Sequence, residues 1–157
     1  MTESERVFEG LQGLAHLASD LNGGFAPLQI VLLSGAMGVG KTELVRAICL
    51  VLSPGASNEN AEDKISSPTF AVQNRYWKGR GAVDHVDLFR LESDEDVAST
   101  GFWEIFDDVI PPRLVLIEWP ERINMGDLPK SWSITCVELS AVPGRPDARH
   151  ARIKNLR

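Results

Sequence analysis

The sequence predicts an α/β fold: a mixed, mostly parallel sheet packed between helices, with one antiparallel hairpin. Three observations predict it. Ile30 to Leu33 and Leu114 to Ile117 are apolar at every position, the pattern of strands buried on both faces. Segments whose apolar residues recur three and four positions apart alternate with these strands, as amphipathic helices do. Lys78-Gly79-Arg80-Gly81 separates two further strand-like runs and supplies glycines where a tight turn needs positive φ.

Val7, Leu11, Leu14, Ala15, Ala18 and Leu21 form one helical stripe, closed by Asn22-Gly23-Gly24, so the first helix is expected over Val7 to Leu21. The apolar strand Ile30 to Leu33 leads through a glycine-rich turn into a helix marked by Leu44, Val45, Ile48, Cys49 and Leu52. Ser53 to Lys64 has almost nothing apolar and reads as an exposed loop. Phe70 to Trp77 and Ala82 to Asp87 are the hairpin strands. Ser93-Asp94-Glu95-Asp96 opens a short acidic helix, and Thr100 to Asp108 carries Phe102, Trp103 and Phe106 as a core face. Pro111-Pro112 lead into Leu114 to Ile117, which ends in Glu118. Ser131 to Leu139 and a last strand near Ala151 to Ile153 complete the expected sheet.

A length of 157 residues favours one domain over 1–157. Such a chain buries about 68–70% of its unfolded surface and needs no disulfide or structural metal. Sixteen Lys and Arg against 22 Asp and Glu give a net charge of −6, which argues against the whole surface being a nucleic-acid platform. Cys49 and Cys136 lie in apolar runs and read as reduced, buried thiols. Met1 to Arg6 is polar with no apolar stretch behind it, and no run approaches the ~20 residues that span a bilayer. The expected setting is the cytoplasm, with no membrane contact.

Gly35-Ala36-Met37-Gly38-Val39-Gly40-Lys41-Thr42 fits G-x-x-x-x-G-K-[ST] without a mismatch, between an apolar strand and an amphipathic helix. Gly35, Gly38, Val39 and Gly40 would turn backbone N–H groups around a phosphate at a helix N-terminus. Lys41 would reach the β- and γ-phosphates, and the Thr42 hydroxyl would ligate Mg²⁺.

Such a site needs a carboxylate at the end of a neighbouring strand. Glu118 has that placement, with a solvated strand end as its bland alternative. Asp87 has it too, with a surface pair to Arg90 as its alternative, and Asp84 is read as alternating to the same face. His85 reads as packed. Ser66-Ser67-Pro68-Thr69 is either a γ-phosphate-sensing turn or a self-capped strand entry. Trp119 either shields the site from water or packs at its rim. The chain lacks an N/T-K-x-D element, so adenine is favoured over guanine. The cluster Arg145, Arg149, Arg152, Lys154 and Arg157 reads as a solvated, partly frayed basic tail, with RNA contact as the other possibility. A small kinase acting on a hydroxyl, and a nucleotide-responsive binding module with little catalysis, stay open as readings of the same loop.

Together, GAMGVGKT (Gly35–Thr42), SSPTF (Ser66–Phe70), HVDLFRL (His85–Leu91), GFWEIFDD and IEWPERI (Ile117–Ile123) resemble the TsaE (YjeE) family, over roughly Ile30 to Ile123. These are small ATPases of bacterial tRNA threonylcarbamoyladenosine (t6A) synthesis. The resemblance implies a P-loop NTPase-like three-layer sandwich with Mg²⁺-dependent binding and hydrolysis of ATP, in company with TsaB and TsaD subunits that act on tRNA. By it, Thr42 and Glu118 are the Mg²⁺ ligands, and Lys41, Asp87 and Glu118 serve hydrolysis. Glu43, Thr69 and Trp119 join the loop residues around the nucleotide. Two positions depart from the family's pattern: Ala36 stands where an acid is frequent, and Glu43 where a second threonine is frequent.

Overall fold

A computed structural model describes residues 2–52, 73–78, 81–107, 110–111 and 113–157. The expected loop Ser53 to Lys64, the SSPTF turn with Thr69, and Phe70 at the start of the hairpin all lie outside the described residues. Seven strands form one sheet: β1 (Thr2–Glu9), β2 (Leu28–Ser34), β3 (Gln73–Lys78), β4 (Gly81–Asp87), β5 (Arg113–Glu118), β6 (Ser133–Val142) and β7 (Arg145–Asn155), in the order β1-β7-β6-β2-β5-β4-β3. The middle pairings, β6 with β2, β2 with β5 and β5 with β4, are parallel, and the flanking ones are antiparallel. The α/β class and the mixed sheet are as the sequence predicts. Among the described residues, the helices α1 (Gly10–Gly23), α2 (Lys41–Val51) and α3 (Asp94–Ser99) accompany it, with short 3-10 turns of which the longest is the 3-10 helix Phe102–Phe106.

Two apolar cores follow from the alternation of the central strands. Val31 and Leu33 of β2 join Leu114 and Leu116 of β5 under α1 and α2, against Leu17, Leu44, Val45 and Ile48. Ile30 and Leu32 join Val115 and Ile117 on the opposite face, against Val97, Phe102, Phe106 and Trp132. Edge-on ring contacts at 5.5 Å (Phe102–Phe106) and 5.4 Å (Phe106–Trp132) fasten that second layer. The acidic helix starts as expected: Ser93 and Asp96 form a reciprocal capping box.

The ends of the chain depart from the sequence expectation. Val7 is not helical; it belongs to β1, which pairs along its whole length with β7, from Thr2 opposite Asn155 to Glu9 opposite Ala148. Gly10, at φ 62°, breaks the strand and starts α1, whose buried stripe is Leu14, Leu17, Ala18 and Leu21. Val7 and Leu11 remain exposed. The basic tail is likewise no frayed end. It is the 11-residue strand β7, paired to β6 on one side and β1 on the other. Long-range pairing between the termini overrode local periodicity, a term invisible within a short window. Arg152 joins Glu5 at 3.0 Å and Arg145 joins Glu9 at 2.7 Å, so much of the tail's charge is spent inside this terminal ladder. Cys49 is buried and Cys136 half-buried, and neither is in a disulfide. Burial pushes the Cys136 thiol up from its ordinary value.

Candidate nucleotide site

The loop joining β2 to α2 sits at the C-terminal end of the central strand, where open α/β sheets place their ligands. Gly35, Gly38 and Gly40 all take positive φ, at 135°, 76° and 115°. At Gly35 a side chain is excluded twice over, because a Cβ would also collide with the Leu139 carbonyl oxygen of β6. The loop is closed by Val39 N–H donating to Ala36 O at 3.2 Å, and α2 begins directly at Lys41.

Lys41 and Thr42 leave that helix start in different directions. The Lys41 ammonium donates to the carbonyls of Gly35 (2.7 Å) and Ala36 (3.0 Å) and lies 4.1 Å from the Trp119 ring centre. Burial lowers its pKa, and the nearby carboxylates of Glu118, Glu121 and Asp87 oppose that shift. The Thr42 hydroxyl donates to Glu118, 2.9 Å from Oε1 and 3.2 Å from Oε2.

Glu118 ends β5 directly opposite Asp87, which ends β4. The strand pairing thus brings both predicted acids to one edge of the same cavity. Its volume is about 330 Å³, and its walls include Gly38, Lys41, Thr42, Asp87, Glu118 and Trp119. Glu118 is 3% exposed, and His85 Nε2 lies 2.8 Å from its Oε1. Asp87 accepts the Phe89 N–H at 3.0 Å, which turns the chain at the strand end. Glu43 also lines the cavity, with its carboxylate 2.5 Å from Arg46 one turn along α2.

Asp84 departs from the sequence expectation. It does not share a face with Asp87, because positions three apart on a strand point to opposite sides. Asp84 is fully buried beneath the 3-10 helix, paired with Arg113 and with Arg75 at 2.7 Å. The residue that shares the Asp87 face is His85, two positions away. Trp119 holds φ 60° and ψ 51°, a conformation seldom adopted by a bulky residue. Its N–H donates to Leu33 O at 3.2 Å, and its ring packs 4.9 Å from Phe89. Phe89 and Met37 line the cavity mouth without having been singled out by sequence; apolar residues in loops carry no periodic signal. Arg149 was read as part of a tail, yet its Nε donates to Val39 O in the loop at 3.0 Å, across 110 positions of sequence.

A sequence model of the family described as threonylcarbamoyl adenosine biosynthesis protein TsaE matches residues 9–145. A relative from Nostoc sp., named tRNA threonylcarbamoyladenosine biosynthesis protein TsaE, is 38% identical over 96 residues, which is 60% of this chain and 54% of the relative. A Rickettsia bellii protein of the same name is 31% identical over 128 residues, 79% of each chain. The chain spans little more than half the length of the Nostoc relative and of a Rickettsia felis one, at 54% and 57%. Among solved structures, Bacillus subtilus YdiB superposes with a TM-score of 0.66 at 17% identity, covering 99% of this chain and 87% of that one. This last likeness speaks to the fold alone.

Proposed function

The chain belongs to the TsaE family, and from that premise we propose that it is the Mg²⁺-dependent ATP-binding and ATP-hydrolysing subunit of tRNA t6A modification. It acts in the cytoplasm with TsaB–TsaD type partners, and reaches tRNA through them. The observation that carries the reading is the convergence of Lys41, Thr42, Glu118 and Asp87 on one cavity behind a loop of three positive-φ glycines.

The donor set fits the proposed ligands. Thr42 and Glu118 offer hard oxygens 2.9 Å apart, the type Mg²⁺ takes. Among the described residues no cluster of three His, Cys, Asp or Glu could hold a metal alone. A site of one or two protein oxygens, completed by phosphate oxygens and water, is the usual arrangement for Mg²⁺ with a nucleotide. Bound there, Mg²⁺ would neutralise charge developing on the transferring phosphoryl group.

The chain's own residues do the rest. Gly35, Gly38, Val39 and Gly40 wrap the phosphates with backbone N–H groups, and Glu43 borders them. Lys41 exchanges its two loop carbonyls for phosphate oxygens, and so leaves the Trp119 ring. Asp87 orients the attacking water from the neighbouring strand end. Thr69 is proposed to sense the γ-phosphate. Hydrolysis by the chain alone is slow, because among the described residues no arginine lines the cavity to complete the charge balance; partners supply what it lacks.

The test is phosphate release from ATP, measured with and without TsaB–TsaD partners and tRNA. Partner-stimulated release supports the proposal. ATP consumption that needs a small hydroxyl acceptor and ignores the partners would show a kinase instead.

A further inference from the structure

His85 is the one polar side chain on its face of β4 that the proposed chemistry leaves without a task. It is fully buried, with Val83 before it in the α2-side core and Asp87 after it at the cavity edge. A buried imidazole gives up its hydration, and this ring recovers little of it from protein. Nδ1 has no hydrogen-bond partner among the described residues, and Nε2 has Glu118 Oε1 at 2.8 Å. Packing alone would favour an apolar side chain, like Leu114 and Leu116 on the adjacent strand. The cost is explained if the Nε2–H is there for Glu118.

We infer that His85 is a positioning residue that fixes the Glu118 carboxylate for Mg²⁺, an inference that rests on the proposed nucleotide site. A carboxylate oxygen only accepts, so the proton of this hydrogen bond sits on Nε2. Thr42 donates to the same oxygen at 2.9 Å, so Oε1 is held from two sides. Oε2 has Thr42 at the longer distance of 3.2 Å and is the oxygen left more open to a cation. Two donors from different elements, α2 and β4, fix the plane of the carboxylate. Without His85, Glu118 keeps only the hydroxyl that is itself proposed to turn toward the metal. Hydrogen bonds that orient a metal-binding carboxylate are typically worth about 10–100-fold in metal affinity.

The experiment compares the wild type with His85→Leu, His85→Asn and His85→Gln, each first shown folded by its thermal melt. ADP binding is titrated calorimetrically in EDTA and across a Mg²⁺ series, and bound Mn²⁺ is counted by electron paramagnetic resonance. In EDTA, all four proteins should bind ADP alike. In the metal series, the Leu and Asn variants should need about tenfold more Mg²⁺ and hold Mn²⁺ correspondingly weakly. The Gln amide can place an N–H near the Nε2 position, so that variant should regain most of the loss. Leu and Asn variants with wild-type metal midpoints would overturn the inference. A Gln variant no better than Leu would reduce His85 to packing and overturn it too. A wild type whose ADP binding ignores Mg²⁺ would instead bring down the metal site itself.

Discussion

Asp84 and Glu118 are both buried carboxylates on adjacent strands of one sheet, and their surroundings are opposite. Asp84 faces the 3-10 helix and is saturated by cations and amide: Arg113, Arg75 at 2.7 and 3.2 Å, and Gln73 at 3.0 Å. Glu118 faces α2 and is held by a threonine hydroxyl and an imidazole instead of guanidinium groups, with the Lys41 ammonium nearby but bonded to loop carbonyls. On the proposed function, the difference separates scaffold from site. A carboxylate whose charge is already met by fixed guanidinium groups has nothing left to offer a ligand. One held by a hydroxyl and an imidazole is oriented with no guanidinium set against it.

The sharpest way to break this comparison is to remove each charge and see what is lost. Asp84→Ala would leave Arg113 buried without its carboxylate, at a cost of about 3–5 kcal/mol. That should lower the melting temperature by roughly 6–20 °C for a domain of this size, while ADP affinity per folded molecule stays at the wild-type value. Unchanged melting would show that the Asp84 cluster is not scaffold. Next in size is Lys41→Ala, which should cut phosphate release about a hundredfold or more and leave the fold standing. Hydrolysis at the wild-type rate would remove the glycine loop from the chemistry.

Arg149→Ala sharpens the comparison from the scaffold side, since it withdraws a charged donor from the Val39 carbonyl. A bond of this kind, half-exposed, is worth about 1 kcal/mol, so ADP affinity should fall severalfold with little change in melting. Equal affinities would mean the loop holds its shape without β7. The smallest effect is expected at the exposed edge. Arg152 hydrogen-bonds Glu5 and holds its carboxyl below the ordinary glutamate range. The folded pKa is therefore the depressed one, and the stabilisation is present above the unfolded value and lost as pH falls through the folded one. Glu5→Gln should lower melting slightly near neutrality, far less than Asp84→Ala, with the gap to wild type closing in acid. A gap that widens in acid would contradict that sign.

How much of this was legible in the sequence depended on range. The central strands announced themselves because Ile30 to Leu33 and Leu114 to Ile117 are apolar at every position. The loop was equally plain, since chemistry fixes its residues and spacing. Glu118 and Asp87 followed from ending their strands, and the parallel pairing of β4 with β5 sets them side by side. Hidden were the features that only tertiary structure creates. Val7 looked helical because its neighbours have helical spacing, and only β7, some 140 positions away, makes it a strand. The basic cluster looked solvated because its acidic partners lie at the other end of the chain. Asp84 was assigned the wrong face although strict alternation was enough to correct it. His85 reads as ordinary core in any sequence window, because the oxygen on which its proposed role depends is 33 residues away.

The most direct test of the central claim is phosphate release from ATP by the wild type and by Glu118→Gln, with partners present, across a Mg²⁺ series. Glutamine keeps the shape of the side chain and removes only its charge, which at Asp84 is already met by guanidinium groups. Mg²⁺-dependent release is expected in the wild type and at least about a hundredfold less in the variant at saturating nucleotide, with melting temperatures close together. Equal rates in the two proteins at every Mg²⁺ concentration would contradict it.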